Sequence, residues 1–313
     1  VVVGAASVHR RFYTNWRAPM WSDAAVPELR RFTDALHAAG APVLVQLQHD
    51  GPSARPPVTP SGVPCLTIKG DGFTDSHALD TAEVEDLRDA FIAASVRARD
   101  AGFDGVELGG QAGYLLGQFV TARLNQRTDR YGGSAGARMQ FALEMLRGIR
   151  ARCGDDFVVG YALSADELQP GGTTLEESVP FAVALENEGL TYIDVRVGTH
   201  ETFALSRQAT AHNRFQSRHG IFAHAAAFKR ALRIPVLCPS HGCYDPREWE
   251  AALARGDADA IQIAKPLLAD PRLPAKVASG ALADIRPCVG AMNCLGHLEH
   301  GGGIRCIHNP RVG

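Results

Sequence analysis

The sequence predicts an α/β fold, a (β/α)₈ barrel, on three observations. Short β-branched runs recur along the 313 residues, an amphipathic helical pattern follows each, and no run leads into a G-x-G-x-x-G turn. Continuous apolar runs of strand length mark parallel strands covered on both faces. The missing glycine fingerprint places a barrel ahead of an open dinucleotide-binding sheet. The runs start at Val1, Pro42, Gly102, Phe157, Thr191, Ile234 and Asp259. Helix starts are legible between them. Asp80 with Glu83 forms a capping-box pattern ahead of Val84, Leu87 and Phe91 on one face. Thr174 with Glu177 repeats it for a helix ending at Gly189, and Asp245–Pro246 reads as N-cap and first-turn proline. The helix from Pro27 closes through His37 to Gly40. These make seven strand–helix units, one short of closure. A first strand lying before Val1 completes the count; an open doubly wound sheet needs no eighth strand. The chain opens on Val inside an apolar run, as a piece of a longer translation product does. The barrel is assigned to residues 1–283 and a cysteine-containing segment to 284–313.

Composition excludes several function classes. With 45% hydrophobic and 21% charged residues the chain is not a disordered one. Its 32 Lys and Arg against 34 Asp and Glu give a net charge of −2, no footprint for nucleic acid or an anionic membrane. No apolar run is long enough to span a bilayer, and no signal peptide opens the chain. Seven cysteines, an odd number, argue against a disulfide framework and for a reducing, cytoplasmic setting. Cys65, Cys153, Cys238 and Cys243 read as buried, inert thiols.

In a barrel the loops after the strands build the active site. Two connections, 50–80 and 109–136, are long and rich in small residues. Gln46 lies within a strand run; its amide either satisfies a structural hydrogen bond or pairs with a planar heterocycle. Tyr114 ends the stretch Gly109-Gly110-Gln111-Ala112-Gly113-Tyr114, as a proton donor above the mouth or as a core tyrosine. His200 and Glu201 follow the strand that ends at Gly198. Lys265, after Ala264, is placed either to meet a phosphate or to sit solvated at the surface, and Ser240, His241 and Gly242 offer amide donors to the same phosphate. Cys288, Cys294 and Cys306 read C-x5-C-x11-C, a three-thiolate pattern for an iron–sulfur cluster, or for zinc completed by His297, His300 or His308.

The stretches VLVQLQHDG, AGFDGVELGGQAGYLLGQFVTARLNQRTDRYGGS, DADAIQIAKPLLADP and IRPCVGAMNCLG with CIHNP resemble the old yellow enzyme family of FMN-dependent barrel oxidoreductases. The resemblance is narrower to the iron–sulfur branch that holds 2,4-dienoyl-CoA reductase and trimethylamine dehydrogenase. It implies that Gln46 pairs with the flavin pyrimidine edge, that the Ala5 backbone passes the flavin, and that Lys265 takes the family arginine's place beside the FMN phosphate. It implies Tyr114 as proton donor, with His200 in Gly198-Thr199-His200-Glu201 assisting. Gly109 and Ala112 replace the His and His/Asn pair of ordinary old yellow enzymes, a departure shared at its first position by the dienoyl-CoA reductases. Two more departures stand out. Ala162 occupies the place of the arginine near flavin N1 and O2, and Ala291 that of the second cluster cysteine.

The implied activity is hydride transfer from reduced FMN to an activated alkene, with electrons from NAD(P)H relayed through an iron–sulfur cluster. A FAD/NAD(P)H reductase domain or separate electron-transfer partner, a small-molecule substrate and an oligomer go with it. Amine dehydrogenation or oxidative N-demethylation is the alternative within the family. A non-catalytic barrel that has lost its flavin is the alternative outside enzymes.

Overall fold

A computed structural model describes residues 1–12, 17–67, 72–199, 220–240, 242–299 and 302–312. Eight parallel strands form one sheet: β1 (Val2–Ser7), β2 (Ala18–Pro19), β3 (Leu44–Gln48), β4 (Gly105–Gly110), β5 (Val158–Asp166), β6 (Tyr192–Val197), β7 (Val236–Pro239) and β8 (Ala260–Gln262). Their order is β8-β7-β6-β5-β4-β3-β1-β2. All seven expected runs are strands. The eighth member of the ladder is a two-residue strand inside the chain, Ala18–Pro19, which pairs with Ala6 and Ser7. Its sequence is too short to show any periodicity, so no apolar run announces it.

Helices cover the outer face: α1 (Val26–Ala38), α2 (Thr81–Asp100), α3 (Leu115–Val120), α4 (Ala135–Cys153), α5 (Leu175–Asn187), α6 (Gly220–Ala231) and α7 (Pro246–Ala254). Three short ones follow: α8 (Lys265–Ala269), α9 (Leu273–Ala278) and α10 (Asn293–Glu299). The expected caps are present. Asp80 accepts from the Glu83 amide at 2.8 Å while Glu83 accepts from the Asp80 amide at 3.1 Å. Asp245 accepts from the Arg247 amide at 3.0 Å, and the Thr174 amide donates to Glu177 at 3.3 Å. α4 lies close against α2 at Gly148, where an added Cβ would fall 2.2 Å from Ile92 Cδ1.

Strand alternation splits the side chains between two environments. Val45, Leu47, Val106, Leu108, Val159, Tyr161, Leu163, Ile193, Val195 and Val236 face the helices and belong to one continuous core. The residues between them, Gln46, Glu107, Ala162, Asp194 and Arg196, point to the inner face. The apolar core is therefore a shell between sheet and helices, and the inside of the sheet is polar.

The NQRTDRYGGS segment, which carries much of the family likeness, has a structural task. Asn125 Nδ2 donates to the Phe119 and Tyr131 carbonyls, both at 2.7 Å. Arg127 pairs with Asp129 and donates to the Pro60 and Leu79 carbonyls of the preceding long connection. Thr81 Oγ1 donates to Asp129 at 2.7 Å, and Arg138 Nε donates to the Val120 carbonyl at 2.7 Å. The motif staples the loops after β3 and β4 to α2 and α4.

That clamp has a pH signature. The Arg127 guanidinium beside Asp129, with Thr81 and the Tyr131 amide, holds its carboxyl down at about 2. A carboxyl lowered on folding stabilises above its unfolded value, and that stability is lost as pH falls from about 4 to about 2. With the Asp129 side chain 27% exposed, the contribution after screening is about 1–2 kcal/mol. Asp129→Asn is expected to lower urea stability by that amount at neutral pH. The gap to the parent protein should close on acidification through the same window; a gap unchanged at pH 3 would contradict the assignment.

Candidate functional site

The inner face holds two layers of hydrogen-bonded polar side chains. In the first, Glu107 on β4 is fully buried and accepts from Gln46 Nε2 at 2.7 Å and from Tyr192 Oη at 2.9 Å. Tyr192 reaches across because β5 presents Gly160 beneath it. A Cβ there would fall 2.0 Å from the ring carbon Cζ. Burial and the Glu107 carboxylate push the Tyr192 phenol well above its ordinary range, so it stays a donor. In the second layer Arg196 bonds Asp194 on its own strand and Gln262 on β8. Burial lifts the Asp194 carboxyl above the usual range, and the Arg196 cation draws it back. Arg196 Nε and Asp194 Oδ1 are buried and have no hydrogen-bond partner within the described residues. Ala162 pairs in register with Asp194, and Ser164 with Arg196.

Above these layers stands Tyr114, at the N-cap of α3. The loop leading to it is pinned at both ends. The Ala112 amide donates to Ser164 Oγ on β5 at 2.7 Å, and the Leu115 amide donates to the His49 carbonyl after β3 at 3.1 Å. Gly51 (φ 55°) lets the β3 loop pass close to α3; an added Cβ would meet the Leu115 amide and Gln118 at 3.3 Å. Tyr114 bonds Gln48 and Arg17, and the Arg17 guanidinium lies 5.9 Å from its ring centre. Arg17 grips Asp50 through two bonds of 2.6 and 2.8 Å, both side chains buried. Gln48 Nε2 donates to the same carboxylate at 3.0 Å. Burial raises the Tyr114 phenol above its ordinary value, and the Arg17 cation partly offsets the rise. His49, next to Asp50, is buried and pushed down to about 3 by that burial, so its ring is neutral.

The sequence-predicted residues divide three ways. Gln46 and Tyr114 belong to this inner constellation. Ala5 lies in β1 beside Ala6, and Ser240, buried, donates its amide to the Gln262 carbonyl at 2.9 Å at the mouth between β7 and β8. Gly242 takes φ 72°, as the turn after β7 requires, and Ala264 is exposed at the start of α8. His200 and His241 lie outside the described residues. Lys265 turns toward the cysteine segment: its Nζ lies 3.5 Å from Met292 Sδ and 5.9 Å from the Tyr244 ring centre. Burial lowers its basicity, and the nearby Cys288 and Cys294 thiols raise it.

Cys288, Cys294 and Cys306 line one small cavity together with Lys265, Ala291 and Met292. Ala291 offers no donor, and among the described residues no three His, Cys, Asp or Glu side chains stand close enough to hold a metal ion. All seven cysteines are free. The donors present therefore do not compose a complete four-thiolate site. A larger cavity of about 680 Å³ lies beside this segment, between Gly242–Glu248 and Leu282–Val289, outside the inner face. Among the described residues no helix is long and apolar enough to cross a membrane.

Sequence reasoning missed Glu107, Asp194, Arg196 and Gln262, and with them Arg17 and Asp50. The first four carry one signal that would have found them: single polar residues at every second position inside otherwise apolar strand runs. Arg17 and Asp50 lie in loops and carry no such signal.

Residues 2–284 match the model of the NADH:flavin oxidoreductase / NADH oxidase family. The chain is 35% identical over 289 residues to the NADH oxidase of Thermoanaerobacter brockii, covering 90% of this chain and 43% of that protein. It is 33% identical over 300 residues to the multifunctional alkene reductase/demethylase of Caballeronia cordobensis, covering 92% of this chain and 42% of that one. A solved 2-naphthoyl-CoA reductase complex superposes with a TM-score of 0.91 at 26% identity, covering 99% of this chain and 49% of the other. The chain thus spans less than half the length of the curated relatives it matches. A parallel eight-stranded sheet with a polar inner face and this match over nearly its whole barrel establish that the chain belongs to the NADH:flavin oxidoreductase / NADH oxidase family.

Proposed function

We propose that this chain is the FMN-binding barrel of an oxidoreductase that reduces activated alkenes such as enones or enoyl and dienoyl thioesters. The observation that carries the reading is the polar inner face. Gln46, held by Glu107, which Tyr192 holds in turn, presents a fixed amide, and Arg196 Nε and Asp194 Oδ1 are buried with no hydrogen-bond partner among the described residues. Such atoms fit the hydrogen-bonding edge of a flavin pyrimidine ring, because a buried donor or acceptor left unpaired costs about 1–3 kcal/mol. The same face argues against a barrel that has lost its flavin, which would have no use for it. FMN, when bound, supplies hydride at N5; the protein's part is to orient and polarise.

Tyr114 supplies the proton that the carbon next to the hydride-accepting carbon must gain. Its raised pKa keeps it protonated at neutral pH, and Arg17 beside it stabilises the phenolate left after transfer. Asp50, by gripping Arg17 at two points, fixes where that cation sits. His200 assists from the loop after β6 on the strength of the family likeness. Electrons come from NAD(P)H through a reductase domain or partner. The cavity of Cys288, Cys294 and Cys306 is the place for an iron–sulfur group, although its donors are incomplete and no step here depends on it. A reducing, cytoplasmic setting suits these thiols. Amine oxidation is the second reading: the spacing from Cys288 to Cys294 resembles the amine dehydrogenase branch, and one relative's name joins alkene reduction with demethylation.

Stopped-flow measurement of the two half-reactions tests the proposal. Tyr114→Phe is expected to slow re-oxidation of reduced protein by an enone about a hundredfold or more while leaving flavin reduction within about twofold. Equal slowing of both halves assigns Tyr114 to flavin binding instead. Re-oxidation by no alkene, together with flavin reduction by a secondary or tertiary amine, overturns the alkene reading in favour of the amine one.

Iron and sulfide analysis of anaerobically purified protein tests the cysteine segment. About three to four irons per chain with matching sulfide is the expected result. One zinc and no sulfide would remove the iron–sulfur assignment and leave the barrel reading intact.

A further inference from the structure

We infer that Arg196 is the cation that this barrel presents to the N1–O2 edge of the flavin, taking from β6 the role that Ala162 on β5 cannot fill. The inference rests on the FMN reading above.

Position comes first. Tyr192, Asp194 and Arg196 alternate with Ile193, Val195 and Val197, which pack into the shell of core under the helices. Arg196 therefore points inward. Its bond to Gln262 confirms this, because Gln262 lies two strands away on β8 and the side chain must cross β7 on the inner face to reach it. Of all residues in the eight strands, Arg196 is the one Lys, Arg or His.

Space comes second. On the neighbouring strand, the residues in register with Asp194 and Arg196 are Ala162 and Ser164. Ala162 is fully buried and adds only a methyl to the inner face. Ala162 and Ser164 are both short, so no long side chain from β5 competes with Arg196 for the inner face at these two registers.

Charge comes third. Glu107 and Asp194 put two buried carboxyls inside the sheet. A flavin that gains hydride becomes anionic at N1–O2, and above two acids that charge needs a cation. Arg196 is held by Asp194 and Gln262 through one terminal nitrogen, Nη2, and its Nε has no hydrogen-bond partner among the described residues. Asp194 and Gln262 are thus positioning residues, and Arg196 is the group that meets the cofactor.

Sulfite binding reads this charge without turnover, because the adduct at flavin N5 leaves negative charge on N1–O2. The full chain reconstituted with FMN is titrated with sulfite by loss of the flavin absorbance, and apoprotein is titrated with FMN by fluorescence. Arg196→Gln is expected to raise the sulfite Kd about tenfold or more, Arg196→Lys to stay within a few-fold, and Arg196→Gln with Ala162→Arg to recover most of the loss. Asp194→Asn, which removes the counter-charge and keeps the shape, is expected to tighten sulfite. This second variant reports the same charge should Arg196→Gln fold poorly. Unchanged sulfite affinity in Arg196→Gln, or weaker sulfite binding in Asp194→Asn, overturns the inference while FMN binding stands. Failure of the parent chain to bind FMN overturns instead the functional reading beneath it.

Discussion

A carboxylate buried inside a parallel sheet must be paired across it, and Glu107 is where this sheet meets that requirement. It lies at zero exposure on β4 and is reached from β3 by Gln46 and from β6 by Tyr192. Removing either donor would leave a buried charge short of partners, at a cost of about 1–3 kcal/mol per lost bond. Gly160 exists in this frame as the gap that lets Tyr192 through. The amide of Gln46 is thereby oriented before any ligand arrives. That is preorganisation of the kind the flavin site proposed above would draw on, and it follows from satisfying one acid.

The second layer repeats the logic with opposite sign. Arg196 is the only cation in the strands, and it is tied down by Asp194 and Gln262. Where the first layer fixes an amide, the second fixes a charge. The loops above add the third part, with Arg17 and Asp50 holding the surroundings of Tyr114 in the same manner. The conspicuous NQRTDRYGGS motif acts at one remove. Its side chains serve backbone carbonyls of the loops and so keep the roof over the inner face in place.

Much of the fold was legible because periodicity and caps are local signals. The seven apolar runs all became strands, and Asp80, Thr174 and Asp245 start the helices they were expected to start. The strand at Ala18–Pro19 was not legible, since pairing with β1 is a tertiary event that two residues cannot encode. At the candidate site, Gln46 and Tyr114 were legible from their places in a strand run and after one, and the family likeness supplied the roles expected of them. Glu107, Asp194 and Arg196 were passed over because a run that is apolar on average hides single polar residues, and it is the inward face of alternation that gives them meaning. Lys265 was read from its place after β8, and its side chain lies half-buried beside Met292, a neighbourhood that its position in the sequence does not announce. Cys288, Cys294 and Cys306, read from their spacing as a ligand set, line one cavity, while the ligand geometry around them depends on side-chain placement that spacing alone does not determine.

The central claim is that the polar inner face of this sheet is a flavin site, and cofactor stoichiometry tests it most directly. The chain is purified, stripped, and titrated with FMN and separately with FAD while flavin fluorescence is followed. The account predicts saturation at one FMN per chain, markedly weaker binding of FAD, and loss of FMN affinity in Gln46→Ala. A folded chain that binds neither flavin, or one in which Gln46→Ala binds FMN as the parent does, would contradict it.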